Sequence, residues 1–246
     1  MSVMYQQAQP HDSIVEIFPH VFLLRGSMRL GRGMRISRNM TLLRHNGELT
    51  AINAVRMSRC GEQQLESLGK LSHLIRLGNF HGLDDRYYVD RFGATFWCQA
   101  QSKHYSDPPP DRLLQKDLAL PVPDVELFIF EHARRPECAL LLKRYDGVLI
   151  TCDSLQHWGD RRYCSVPVRL LLPFIGFHRR TLIGPLWLKY MAPSDGSLQA
   201  DFERLLQLRF AHLINAHGSL LRDNAHQAAT TAVQHAFSHQ RTSPRT

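Results

Sequence analysis

Gly78-Asn79-Phe80-His81-Gly82-Leu83-Asp84-Asp85-Arg86 is the stretch on which the reading of this chain turns. A strand-like run at 72–77 ends just before it, and a helix-like run at 85–92 begins inside it. A histidine and a carboxylate four residues apart at a strand-to-helix turn suit a metal site. The strand fixes the backbone there, and the turn aims both side chains into one pocket. His132, Asp153 and His217 repeat the placement, each standing just after an apolar, strand-like run.

Outward from this turn the chain punctuates itself clearly. Towards the N-terminus, apolar runs at 14–18 and 21–24 flank Pro19-His20, and runs at 40–44 and 49–55 flank His45-Asn46-Gly47-Glu48. Asn-Gly between two apolar runs is a strong hairpin signal. The basic stretch 26–37 holds glycines 26, 31 and 33, whose spacing matches no phosphate or dinucleotide fingerprint, and it reads as a plain loop. Apolar residues at 65, 68 and 71 give 61–71 a helical period. A short strand is expected at 94–98, and an irregular crossing at 101–123, which holds five prolines. Strands follow at 125–130, 139–142 and 148–152. Residues 199–215 read as helical up to Ala216-His217-Gly218, a last helix spans about 219–237, and the polar tail 238–246 reads as disordered.

In order and interval, His81, Asp85, His132, Asp153 and His217 resemble the ligand set of the metallo-β-lactamase superfamily, over roughly residues 14–236. The resemblance implies a four-layer αββα sandwich of two mixed β-sheets flanked by helices, as one domain over 1–237. The family motif H-x-H-x-D-H lies on 81–86, with His81 and Asp85 in their places but Leu83 and Arg86 where the second and third histidines belong. The next family histidine falls on His132, the bridging aspartate on Asp153 and the last histidine on His217-Gly218; Asn53 takes the place of a bracing aspartate. The implied metal ligands are therefore His81, Asp85, His132, Asp153 and His217, with Asp85 and Asp153 as the catalytic carboxylates.

With two histidines lost, the resemblance implies at most a mononuclear site: one divalent ion (zinc, or iron or manganese) or none. Three protein ligands plus water suffice for a catalytic zinc, and metal-bound hydroxide would be the nucleophile. Arg86 points the other way. A guanidinium cannot ligate a metal, and beside Asp85 and Asp153 it would pair with the carboxylates and replace an ion. Two expectations follow: a metal-dependent hydrolase with an incomplete site and an unidentified small-molecule substrate, or a non-catalytic relative whose cleft binds a ligand or partner. Taken singly, the residues have plainer readings. Asp84 reads as a helix cap, His132 as a strand-end histidine, and His157 as a residue near the site only by sequence.

The bulk numbers fit an ordinary globular protein. The 246 residues are 43% hydrophobic and 21% charged. The net charge of +8 invites a nucleic-acid partner, but the 30 basic residues are scattered and no nucleic-acid-binding motif accompanies them, so none is expected. Five cysteines without a C-x-x-C pair suit reduced, mostly buried thiols. No signal peptide or membrane span is apparent, and a cytoplasmic location is expected. Residues 159–195 form an apolar, aromatic insert expected to act as a lid or as a homodimer interface.

Overall fold

The computed structural model describes residues 5–100, 106–194 and 196–238. The expected disordered tail, apart from Ser238, lies outside the described residues. A seven-stranded sheet holds β1 (Val15–Phe18), β2 (Val21–Gly31), β3 (Met34–His45), β4 (Glu48–Ile52), β5 (Lys70–Ile75), β6 (Thr95–Cys98) and β7 (Arg112–Leu113), in that order. The first four are antiparallel, and β4 through β7 run parallel. Two helices cover its outer face: α1 (Arg59–Leu68) and α2 (Asp85–Phe92).

A second sheet has the order β13–β10–β9–β8, with β8 at Val125–Ile129, β9 at Cys138–Leu142, β10 at Val148–Thr151 and β13 at His212–Asn215. A two-stranded pair, β11 (Leu155–His157) with β12 (Thr181–Ile183), stands beside it. The remaining helices are α3 (Val166–Leu171), α4 (Pro185–Met191), α5 (Gln199–Leu205) and α6 (Ala225–Phe237).

The period-2 alternation of the strands sorts their side chains into layers. Leu43, Ile52 and Ile75 of the large sheet meet Leu140, Leu142 and Ile150 of the small one in the central core. Met40, Leu42 and Leu74 face the other way, onto Leu65 and Tyr88 of α1 and α2. Leu141, Leu149 and Leu213 face outward onto Trp187, Phe202 and Val233 of α4, α5 and α6. The result is the αββα sandwich expected from the sequence. Asn46 and Gly47 form the β3–β4 turn, with φ of 49° and 79°, the left-handed pair a two-residue hairpin demands.

Three local expectations need correction. Residues 26–37 are not a loop: β2 and β3 pair up to Gly31↔Met34, with a register shift between Arg29 and Gly31, leaving Arg32-Gly33 at the hairpin tip. The helix expected over 199–215 ends at Leu205, and His212–Asn215 is a strand in parallel register with β10. All four of its residues are buried and the sheet satisfies their backbone, so burial on both faces outweighs helical periodicity there. The last helix begins at Ala225, not 219. Cys98, Cys138, Cys152 and Cys164 are buried free thiols, and Cys60 is exposed. Among the described residues no helix is long and apolar enough to cross a membrane.

Candidate metal centre

His81, Asp153 and His217 converge, each offering a ligand atom to one spot at the strand ends. His81 stands in the turn between β5 and α2, Asp153 follows β10, and His217 follows β13. The parallel pairing of β10 with β13 brings the last two together across 64 residues of chain. His81 Nε2 lies 3.1 Å from His217 Nε2 and 3.2 Å from Asp153 Oδ2, and His217 Nε2 lies 3.2 Å from Asp153 Oδ1.

Those spacings can be tested against an ion. Zinc bonds of about 2.0–2.2 Å in tetrahedral geometry put ligand atoms about 3.3–3.5 Å apart, so the trio would need to open by only a few tenths of an ångström. The donor set, two imidazoles and a carboxylate, suits zinc, iron or manganese. His217 is oriented as a ligand should be: Nδ1–H donates to the Ser37 carbonyl at 2.6 Å, which leaves Nε2 with its lone pair. His81 lacks that support, since its buried Nδ1 has no hydrogen-bond partner among the described residues.

Electrostatics favour the ligating forms. Burial, helped by the positive charge of Arg38, pushes the His81 pKa down to about 4, so its ring is neutral near pH 7. Burial works against the ionised form of Asp153, but the imidazoles against its two oxygens hold its carboxyl well below the usual range. A neutral His81 ring and an ionised Asp153 carboxylate can accept a cation without losing a proton.

Glu137 shapes this turn, and its position at the start of β9 gave no warning of it. Its Oε1 accepts from the backbone N–H groups of Asp153 and Ser154, at 3.1 and 3.2 Å. Burial and the neighbouring charge of Asp153 push the Glu137 carboxyl well above the usual carboxylate range. Gln156 adds a second brace, donating from Nε2 to the Asp153 carbonyl and carboxylate. Asn53 ties the site's underside together, donating to Thr151 O and accepting from Leu77 N.

Two residues expected in this set lie elsewhere. His132 is a correction: its side chain is 57% exposed and its ring pairs with Asp201 at 3.2 Å. The backbone N–H groups of Glu131 and His132 donate to the same carboxylate on α5, so the loop after β8 is tied away from the cleft. Asp85 is buried but bound by Arg76 at 3.2 Å, outside the converging trio.

Arg86 is the second correction. It faces solvent, paired with Asp90 at 2.7 Å and Asp107 at 2.8 Å, and meets neither Asp85 nor Asp153. A helix turns about 100° per residue, so with Asp85 facing inward its neighbour faces out. The cation that does face Asp85, Arg76, is 3% exposed. An arginine inside the apolar run His73-Leu74-Ile75-Arg76-Leu77 was the signal that could have found it. Burial pushes the Asp85 pKa up to about 7, against the pull of Arg76 and Arg38. Asp84 stands at the N-cap position of α2, but its carboxylate accepts from the Arg56 N–H instead of from its own helix. His157 turns away and bonds Thr181.

A cavity of about 300 Å³ opens over the trio. The insert 159–195 supplies Phe177, Leu186, Trp187 and Tyr190 to its wall, and the β2–β3 hairpin supplies Met28, Leu30 and Ile36.

No protein-family model matches the chain, and no curated protein matches it in sequence. Solved structures do match in three dimensions. The metallo-β-lactamase DIM-1 aligns over 92% of this chain and 99% of its own, with a TM-score of 0.62 at 11% identity. FIM-1 from Pseudomonas aeruginosa, in its mono-zinc form, aligns over 94% of this chain and 98% of its own, with a TM-score of 0.62 at 8% identity. A metallo-β-lactamase from Pontibacter korlensis gives 94% and 99%, with a TM-score of 0.59 at 10% identity. The chain therefore has the metallo-β-lactamase fold, at 8–11% sequence identity to these proteins.

Proposed function

We propose that this chain is a metal-dependent hydrolase with a mononuclear centre held by His81, Asp153 and His217. The observation that carries the reading is the convergence of three ligand atoms, 3.1–3.2 Å apart, at the floor of a cavity. When bound, a divalent ion supplies Lewis acidity, acidifying water and polarising a scissile carbonyl. The chain's own residues do the rest. The Ser37 carbonyl holds His217 in the tautomer whose Nε2 is free. Asp153 stays anionic and is aimed by Glu137 and Gln156. The apolar wall keeps bulk water off the trio, which strengthens every electrostatic contact made there.

One observation favours a second reading, a non-catalytic cleft. Within the trio His81 Nε2 already stands within hydrogen-bond distance of both Asp153 and His217, and Asp85 is already paired with Arg76. The role once expected of Arg86 would then belong to Arg76.

The test strips the protein with chelator, adds back zinc, manganese or ferrous iron, and assays chromogenic esters, thioesters and phosphodiesters. Hydrolysis that is lost on stripping and restored by one equivalent of ion supports the proposal. Hydrolysis that survives stripping refutes it, and a loaded protein inert on every substrate class favours the non-catalytic cleft.

A further inference from the structure

We infer that the cavity over His81, Asp153 and His217 selects a neutral substrate whose scissile group carries an apolar acyl or aryl substituent. The inference rests on the hydrolytic reading for its chemistry, but its binding does not depend on that reading. At about 300 Å³ the cavity is at the small end of ligand pockets, room for one medium-sized apolar group. Met28, Phe80, Phe177, Leu186, Trp187 and Tyr190 give it an apolar and aromatic wall.

Its polar groups gather at the trio. Gln156 is spent on Asp153, and the Trp158 indole N–H is spent on Gln156 Oε1 at 2.9 Å. A ligand thus meets polar chemistry around the trio and, apart from the Trp187 indole N–H and the Tyr190 hydroxyl, hydrocarbon elsewhere. Among the described residues no lysine or arginine lines the cavity, although the chain carries 30 of them. Arg135 stacks 5.6 Å from the Phe80 ring but is not part of the lining. An anionic group in the apolar part would lose its hydration with no cation to replace it. Leu30, Leu186 and Tyr190 line the cavity while remaining 52%, 44% and 52% exposed, so large apolar side chains stand in solvent at the mouth. An entering hydrocarbon chain would cover them.

The test is a binding series on metal-free protein, read by the fluorescence of Trp158 and Trp187 in the wall. The probes are methyl esters of four to twelve carbons and n-alkyl phosphates of matching length, below their aggregation limits. Affinity for the esters should rise roughly four-fold per added methylene until the cavity fills, and the phosphates should bind at least ten-fold more weakly. Leu186→Lys, at a half-exposed position on α4, should weaken the longest esters and tighten the phosphates. Ester affinity independent of chain length, or phosphates bound as tightly as esters by the unmodified protein, would overturn the inference. Length-dependent binding without hydrolysis on metal loading would leave it standing and sink the hydrolytic reading. Hydrolysis confined to short or anionic substrates would do the reverse.

Discussion

Arg76→Ala should be among the most damaging single changes near the site, and its cost should depend on pH. Arg76 and Asp85 are 3.2 Å apart with side chains 3% and 1% exposed, and the guanidinium also reaches Cys98 Sγ and lies 5.3 Å from the centroid of the Phe96 ring. Removing one partner of a buried pair typically costs about 3–5 kcal/mol, because the other charge is left uncompensated. At this chain length that is a fall in Tm of roughly 6–20 °C. The pH dependence follows from Asp85, whose folded pKa of about 7 lies above the ordinary aspartate value of 3.8. Between those values the folded protein holds a proton that the unfolded chain has released. This group's contribution to stability therefore falls by roughly 1.4 kcal/mol per pH unit across that window and levels off above about pH 7. Without Arg76 the carboxyl titrates higher still, so the variant should keep losing stability above pH 7. Its gap from wild type should widen between pH 7 and pH 9. Arg76→Met combined with Asp85→Leu removes both charges and should recover most of the loss. Thermal denaturation across that pH range is the assay. A variant within 2 °C of wild type, or a gap that does not change with pH, would refute the reasoning.

Other expectations separate the site from its surroundings. Arg86→Ala should leave Tm unchanged, and Arg86→His should not raise metal content, because that side chain points to solvent; higher occupancy by elemental analysis would contradict this placement. His132→Ala should leave metal stoichiometry unaltered, since its ring bonds Asp201; a lost equivalent would return His132 to the site. Gly218→Ala should do more harm. At φ +77° a Cβ would lie 2.3 Å from the His157 carbonyl oxygen, backbone strain alone costs about 1–3 kcal/mol, and His217 would shift. Calorimetric titration with zinc should show at least ten-fold weaker binding, and an unchanged affinity would show that His217 tolerates the movement.

The parts of this molecule legible in the sequence are those fixed by local pattern. Asn46-Gly47 announces its hairpin, and His81 and Asp153 stand just past strand-like runs whose ends point into the cleft that His217 also enters. What was illegible depended on distant partners. The loop holding His132 is set by Asp201, 69 residues later, and the same interval would have served a ligand equally well. Arg86 and Arg76 differ in which way they face, which depends on where α2 begins and how β5 ends. His212–Asn215 is buried on every side, so its periodicity could not separate strand from helix until β10 lay beside it.

Anomalous diffraction at the zinc edge, from crystals of protein loaded with zinc, tests the metal centre most directly. The account predicts one peak per chain, about 2.0–2.2 Å from His81 Nε2, His217 Nε2 and an Asp153 carboxylate oxygen. No peak there, two peaks, or a peak against Asp85 or His132 would contradict it.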